Sequence, residues 1–385
     1  MHPNRALRCK NKEETLICKN TRICLSKEML RSLCLIAFCL ACFFYLSIKT
    51  KLQLIEADWI LMQKYRPESK QISCPSSFSD RKNNSNRKSL RIVNFNTDWL
   101  FLYGPRCPSN ACTWKSKAEA LLHVKHVAHL LDTLDADIVH LGEIEGCAVL
   151  RVLLEMLPNG HEYTPFLIAG QDSTTRQNVA LLSRFPVLQF ERSEQRVKYP
   201  LPDSQCTVPK RGSVGLSKHY LAKIRLQERE IVLLGVHLIA HPNDHRKCTR
   251  REAQAQAIHE IIKKEISNDQ EFIILGDFND HDDEATCQSP DGQRSQSKTV
   301  GRLRNLLRIE NLACRLPSEQ RYSAWHDTNK DCIDSGPEEH SLLDHVLISP
   351  GLQNKVRSVK VYHGYKAGCK RNLSDHWPVI VELEL

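Results

Sequence analysis

The body of this chain lacks net charge. Residues 1–90 carry 17 Lys+Arg against 7 Asp+Glu, out of totals of 54 and 45, which leaves 37 against 38 for residues 91–385. The formal +9 of the whole chain therefore belongs to its first 90 residues, and total charge gives no argument that the body binds a polyanion. An internal repeat is also missing, which argues against solenoid and propeller architectures. Among the ten cysteines that follow residue 48 there is no C-x-x-C pair, so the usual spacing of a zinc ribbon or a thioredoxin-type site is absent. Apolar residues are not scarce: 41% over 385 residues suits a large folded core.

One apolar run stands out. Leu33 to Ile48, LCLIAFCLACFFYLSI, is 16 residues without a charge between Arg31 and Lys49. That is short of the ~20 residues a bilayer usually takes, but Arg31, Lys49 and Lys51 can snorkel and extend it. No small-residue cleavage pattern follows, and 32 residues precede it, so an uncleaved anchor is favoured over a signal peptide. The expected organisation is a basic cytoplasmic tail over 1–31, a transmembrane signal anchor over 32–48, a polar stem over 49–89 and one domain over 90–385. The domain is expected outside the cell or in a lumen, and secreted if the anchor is cleaved. An even set of body cysteines fits an oxidising compartment, and sequons at Asn83 and Asn372 are compatible with glycosylation.

The domain alternates short β-branched segments (LRIVNF, ADIVHL, REIVLLGVHL, EFIILG, LLDHVLIS, WPVIVELEL) with amphipathic stretches starting near Ser116 and Thr249. This predicts an α/β domain with helices covering sheet faces. What sits at the segment ends is chemically uniform: Asn96 and Asp98, Glu143 and Glu145, His237 and His241, Asp277, Asn279 and Asp280, Asp344 and His345, Asp375 and His376. Any one of these alone reads as a turn residue or helix cap. Six of one kind read as a convergent site, because clustered carboxylates resist ionisation unless a cation joins them. Oxygen-rich and sulfur-free, the set suits Mg²⁺, with Mn²⁺ as the alternative, rather than zinc. DFNDHDDEATCQ is not an EF-hand, since Asp282 stands where glycine is required. Gly276 is expected to let the backbone turn, the charge from Asp280 onward to be loop surface, and 286–299 to be a mobile polar loop.

The ordered series FNTD, LGEIEG, GVHLIA, GDFND, LLDHVLIS and SDHWPV resembles the endonuclease/exonuclease/phosphatase superfamily, over about Leu90 to the C-terminus. The resemblance implies a four-layer sandwich, two mixed β-sheets flanked by helices, with the catalytic groups along one edge. It implies metal ligands at Asn96, Asp98, Glu143, Asp344 and Asp375, and catalytic roles for His237, Asp277, Asn279, Asp375 and His376, with Asp375 binding metal or orienting the histidine. Asn279, with Lys210 and Arg211, is a candidate for binding phosphate. Asn178 stands where that family often has glycine. The implied activity is divalent-metal-dependent hydrolysis of a phosphoester by an activated water, a phosphodiester before a monoester. A nuclease comes first, with a sphingomyelinase-like lipid phosphodiesterase or an inositol or lipid phosphatase as alternative and a non-enzymatic binding module last. The expected partners are a nucleic acid or phospholipid substrate and, through Leu33–Ile48, a membrane; no obligate protein partner is evident.

Overall fold

Ser89–Leu100 is the longest strand, and most of its residues are buried. It lies at the centre of a six-stranded sheet, where an apolar run covered on both faces belongs. The computed structural model to which it belongs describes residues 29, 31–33, 35–43, 72–74, 88–102, 114–207, 211–267, 270–292, 295–367 and 373–385. The chain divides into two units, Met1–Tyr65 and Arg66–Leu385. Within the first, the described residues between 29 and 43 are helical, with Leu35, Ile36, Phe38, Leu40 and Phe43 exposed. No helix among the described residues is long and apolar enough to cross a membrane. Residues 34 and 44–48 of the expected anchor lie outside the described residues, as do Asn83, Lys210 and Asn372.

The second unit holds two six-stranded mixed sheets. The first runs Val356–Val361, Val379–Glu384, Ser89–Leu100, Ile138–Ile144, Asn178–Ser183, Thr164–Phe166 from edge to edge. The second runs Glu310–Asn311, Asp344–Ile348, Phe272–Asp277, Arg229–His237, Lys218–Leu226, Val187–Glu191. Each contains a single parallel pair at its centre, Ser89–Leu100 with Ile138–Ile144 and Arg229–His237 with Phe272–Asp277. Parallel neighbours need a crossover, which helices supply: α1 (Lys117–Leu134) joins the first pair, capped by Ser116 accepting from the Glu119 N–H. The second pair is joined by a helix of 21 residues, His245–Glu265, capped by Asp244.

The inner faces of the sheets share one core. Leu90, Ile92, Ile138, Leu181 and Val381 from the first meet Tyr220, Ile224, Leu233, Ile273, Leu275 and Val346 from the second. A fully buried side chain of this kind contributes about 1.5–3 kcal/mol. On the second sheet's outer face, Val232, Leu234, Val236 and Ile274 pack with Ile258, Ile261 and Ile262 of His245–Glu265 and with Val300 and Leu303 of the helix Thr299–Leu307. On the first sheet, Lys117–Leu134 covers Ser89–Leu100 and packs with the helix Cys147–Met156.

Part of the expected stem is tied to this body. Cys74 is disulfide-bonded to Cys147, the Cys74 N–H donates to Leu167 O and the Cys147 N–H to Ile72 O. Cys206–Cys248 and Cys287–Cys314 are also bonded.

Gly276 does not turn the chain as expected. It lies inside the strand Phe272–Asp277 with φ +145°, and a Cβ there would stand 1.8 Å from Val236 O. Glycine is required for the close approach of the two parallel strands.

Candidate active site

The ends of both parallel pairs meet at one edge of the sandwich. Asn96 lies beside the end of Ile138–Ile144, where Glu143 sits, and Asp277 is in register with His237 on one side and Asp344 on the other. The Asn96 amide joins the sheets, donating to Glu143 Oε1 at 3.3 Å and to Asp277 Oδ2 at 3.0 Å. Deeper in, the Asn94 amide donates to Gly276 O at 3.2 Å and His345 O at 3.3 Å. Four non-glycine residues here are left-handed: Asp98 (φ +52°), Trp99 (+58°), Glu143 (+63°) and Asn279 (+48°). Such backbone costs of order 1–3 kcal/mol each and is held only where its surroundings over-determine it. For Glu143 the Trp99 N–H donates to Oε2 at 3.0 Å. Asn279 is held by its own N–H and amide, both donating to Asp277, at 2.8 and 3.0 Å.

Charge in this cleft is strongly perturbed. Burial pushes Asp277 up to about 7; His376 opposes this, and Asp344 and Glu143 add to it. Glu143 is raised by burial first and then by Asp375, with Lys218 and His376 opposing. Burial drives His237 well below its ordinary range, helped by Lys218 and His376, so it is neutral; its Nε2 lies 3.5 Å from Asp277 Oδ2 and its Nδ1 has no partner. His376 goes the other way. Burial would lower it, yet Asp344, Asp277 and Asp375 hold it well above its ordinary range.

The carboxylate that orients His376 is Asp344, not Asp375. Asp344 Oδ2 is 2.6 Å from His376 Nδ1 and accepts from Ser323 Oγ at 2.9 Å. It is fully buried, and its Oδ1 has no hydrogen-bond partner among the described residues. Of the two roles expected for Asp375, binding metal or orienting the histidine, the second falls to Asp344, because the strand Asp344–Ile348 delivers its first carboxylate under the imidazole. Asp375 opposes the ionisation of Glu143. Asp98 is buried, and its N–H donates to Asn96 Oδ1 at 3.2 Å. Glu143, Asp375 and the Asn96 amide form an oxygen-rich group whose like charges a hard divalent ion would relieve, so the residues present fit such an ion.

Of the two basic candidates, Arg211 is exposed and does not line the cleft among the described residues. One cation that does, Lys218, was not expected. Lys218 is buried, with Nζ 3.4 Å from Gln177 Oε1 and 3.6 Å from Asp172 Oδ2, and it shares a cleft of about 690 Å³ with Glu143, His237, Asp277, Asn279 and His376. Its only sequence signal was a lysine directly before the apolar strand HYLAKI. Asn178 also has a task. Its Nδ2 donates to Ile144 O and Glu145 O and its Oδ1 accepts from the Gly170 N–H at 2.6 Å, bracing the chain just after Glu143.

The charge after Asp277 is not loop surface at its start. Asp280 and Asp282 are buried; Asp280 accepts from Ser295 Oγ at 2.8 Å and from Ser297 Oγ, and lies 3.6 Å from Arg251 Nε. The serines of the 286–299 segment thus fold back onto the loop that carries Asn279.

A family model described as Endonuclease/Exonuclease/phosphatase family matches residues 95–376. A search of curated proteins found no match. Solved structures of similar fold include the 3′ phosphatase NExo from Neisseria bound to a product DNA hairpin, 17% identical with TM-score 0.50, covering 77% of this chain and 100% of that one. TDP2 of D. rerio with a single-strand DNA product is 15% identical with TM-score 0.51, covering 78% and 100%. A family protein from Leptotrichia buccalis is 14% identical with TM-score 0.50, covering 77% and 100%.

Proposed function

The chain belongs to the endonuclease/exonuclease/phosphatase family, whose members hydrolyse phosphoesters, and on that premise we propose that it is a divalent-metal-dependent phosphodiesterase acting on nucleic acid. The observation that carries the reading is one cleft in which a raised carboxyl, a neutral imidazole and a carboxylate-held cationic imidazole converge. Glu143, Asp375 and the Asn96 amide would hold the ion, which would neutralise nonbridging phosphate oxygens and the departing oxygen. Asp277, poised near neutrality, orients the attacking water and takes its proton. The amide of Asn279 binds phosphate without adding negative charge. His376, kept protonated by Asp344, faces the phosphate as a fixed cation, and Lys218 adds a second positive charge at the base of the cleft. His237, neutral, hydrogen-bonds without charge.

The test is hydrolysis of plasmid DNA, RNA, sphingomyelin vesicles and inositol phosphates by the purified chain. Mg²⁺ should support DNA or RNA cleavage and chelation should abolish it. Glu143→Ala and Asp277→Asn should each lower kcat by roughly 10²–10⁴-fold. Activity indifferent to both substitutions would remove the proposed site, and preference for sphingomyelin would favour the lipid reading.

The N-terminal run is proposed as a single-pass anchor with the catalytic body on the non-cytosolic side, a placement supported by the disulfides Cys74–Cys147, Cys206–Cys248 and Cys287–Cys314. Protease added to sealed microsomes should leave the body intact and degrade it once detergent opens them; degradation in sealed microsomes would reverse the topology.

A further inference from the structure

Half of the eight residues 245–252, HRKCTRRE, are basic, on a body whose charges as a whole nearly cancel. They serve different ends. Arg251 is fully buried and its guanidinium donates to His241 O at 3.0 Å and Pro242 O at 2.7 Å, which fixes the helix His245–Glu265 to the loop following His237. Arg246 is taken by Asp244, at 2.9 Å.

Lys247 and Arg250 are left over. Three residues apart, they share a face of the helix, and among the described residues neither forms an ion pair. Both line the active cleft together with Glu143, His237, Asp277, Asn279 and His376. Lys247 is held below the usual lysine range by burial and, against the pull of Asp244, by Arg251, Arg246 and Arg250. Crowded like charges facing a cleft are relieved by an anion placed between them.

The cleft continues past this pair. A second hollow of about 580 Å³, lined by His241, Asn243, Asp244, His245, Arg246 and Lys247, shares His241 and Lys247 with the first. A ligand running from the reacting groups toward the second hollow passes the Lys247/Arg250 face, and so meets positive charge at a second place along its length. A phospholipid presents one phosphodiester at its headgroup; a polynucleotide presents one at every residue.

Resting on the phosphodiesterase reading, we propose that Lys247 and Arg250 form a subsite for a second phosphate of the substrate and so select a polynucleotide strand. The scissile group lies between Asp277 and His376, and the neighbouring phosphate lies against the Lys247/Arg250 face. The pair positions substrate and takes no part in bond breaking.

The test uses the full-length chain in detergent with Mg²⁺ and compares it with Lys247→Gln/Arg250→Gln and with the charge-keeping Lys247→Arg/Arg250→Lys. The substrates are an oligothymidylate, the dinucleoside monophosphate TpT with its single phosphodiester, and sphingomyelin vesicles. The glutamine pair should raise KM for the oligothymidylate about tenfold or more with kcat changed by less than about twofold. The slope of log KM against log salt should shrink by about 0.7, for the one single-strand phosphate that is no longer neutralised. The oligothymidylate-over-TpT ratio of kcat/KM should fall accordingly, and the charge-keeping pair should restore it. An unchanged ratio and salt slope in an active enzyme would overturn the subsite alone. So would equal losses on TpT and oligothymidylate, which would put the pair in the chemistry, or a loss confined to sphingomyelin, which would give it to a lipid. A parent inactive on every phosphodiester would overturn the phosphodiesterase reading itself, and the subsite with it.

Discussion

At the scale of single residues, the site is a set of side chains pushed away from their ordinary ionisation in opposite directions. His237 and His376 share one cleft and differ in partner: one meets burial and neighbouring cations, the other a buried carboxylate. Asp344 is therefore the residue whose loss should reach the chemistry without touching substrate. Asp344→Asn keeps the shape and removes the charge that holds His376 protonated, so kcat should fall roughly 10²–10³-fold with KM little altered. Asp344→Glu should recover less than a tenth of that loss, since the imidazole would be moved; a steady-state assay at saturating substrate reads both. That Asp344 serves His376 was not legible in the sequence. The two lie on different segments, and nothing in the spacing of two Asp-His dipeptides tells which carboxylate reaches which imidazole. Convergence of the six segment ends was legible, because each polar pair follows a buried apolar run whose end is fixed by the sheet.

At the scale of elements, the helix His245–Glu265 is both a crossover and a strut. Its start was expected near Thr249 from the apolar spacing; capped by Asp244, it begins four residues earlier at His245, and the extra turn carries Arg246 and Lys247. Fully buried Arg251, Asp280 and the serines at 295 and 297 then join that helix, the loop after His237 and the loop after Asp277. Reading DHDDE as surface held for Asp283 and Glu284, which are exposed, and failed for Asp280 and Asp282: a run of carboxylates resembles a solvated loop until the buried counter-charge of Asp280, 29 residues upstream, is located. Removing one partner of a buried pair leaves the other uncompensated, so Arg251→Met should destabilise the fold by about 3–5 kcal/mol. Denaturant titration reads this directly. A change below about 1 kcal/mol would mean that Asp280 is sufficiently held by the serine hydroxyls alone.

At the scale of the whole molecule, the buried interior contains titratable groups as well as apolar ones. His140 and His219 are both buried and held down at about 3, by burial first and, for His219, by Arg192 next. His219 Nε2 accepts the Ser193 N–H at 2.9 Å, a bond that protonation would break. The unfolded chain takes up these protons near the ordinary value of 6.5. Stability is therefore complete above about pH 6.5 and is lost as pH falls toward 3, by on the order of 2 kcal/mol per histidine at pH 5. Urea midpoints at pH 7.5 and 5 should separate accordingly, with a smaller separation in His219→Gln; coincident midpoints would refute it.

Because Asn96 and Glu143 hang from one sheet while His237, Asp277 and Asp344 hang from the other, the reaction geometry is a vernier on how the two sheets slide over each other. The Asn94 amide, bonded to Gly276 and His345 just beneath, is the detent of that scale. Any perturbation that shears the sandwich by a fraction of a bond length, whether pressure, heat or a distant core substitution, registers first as lost turnover, while strand content and compactness stay intact.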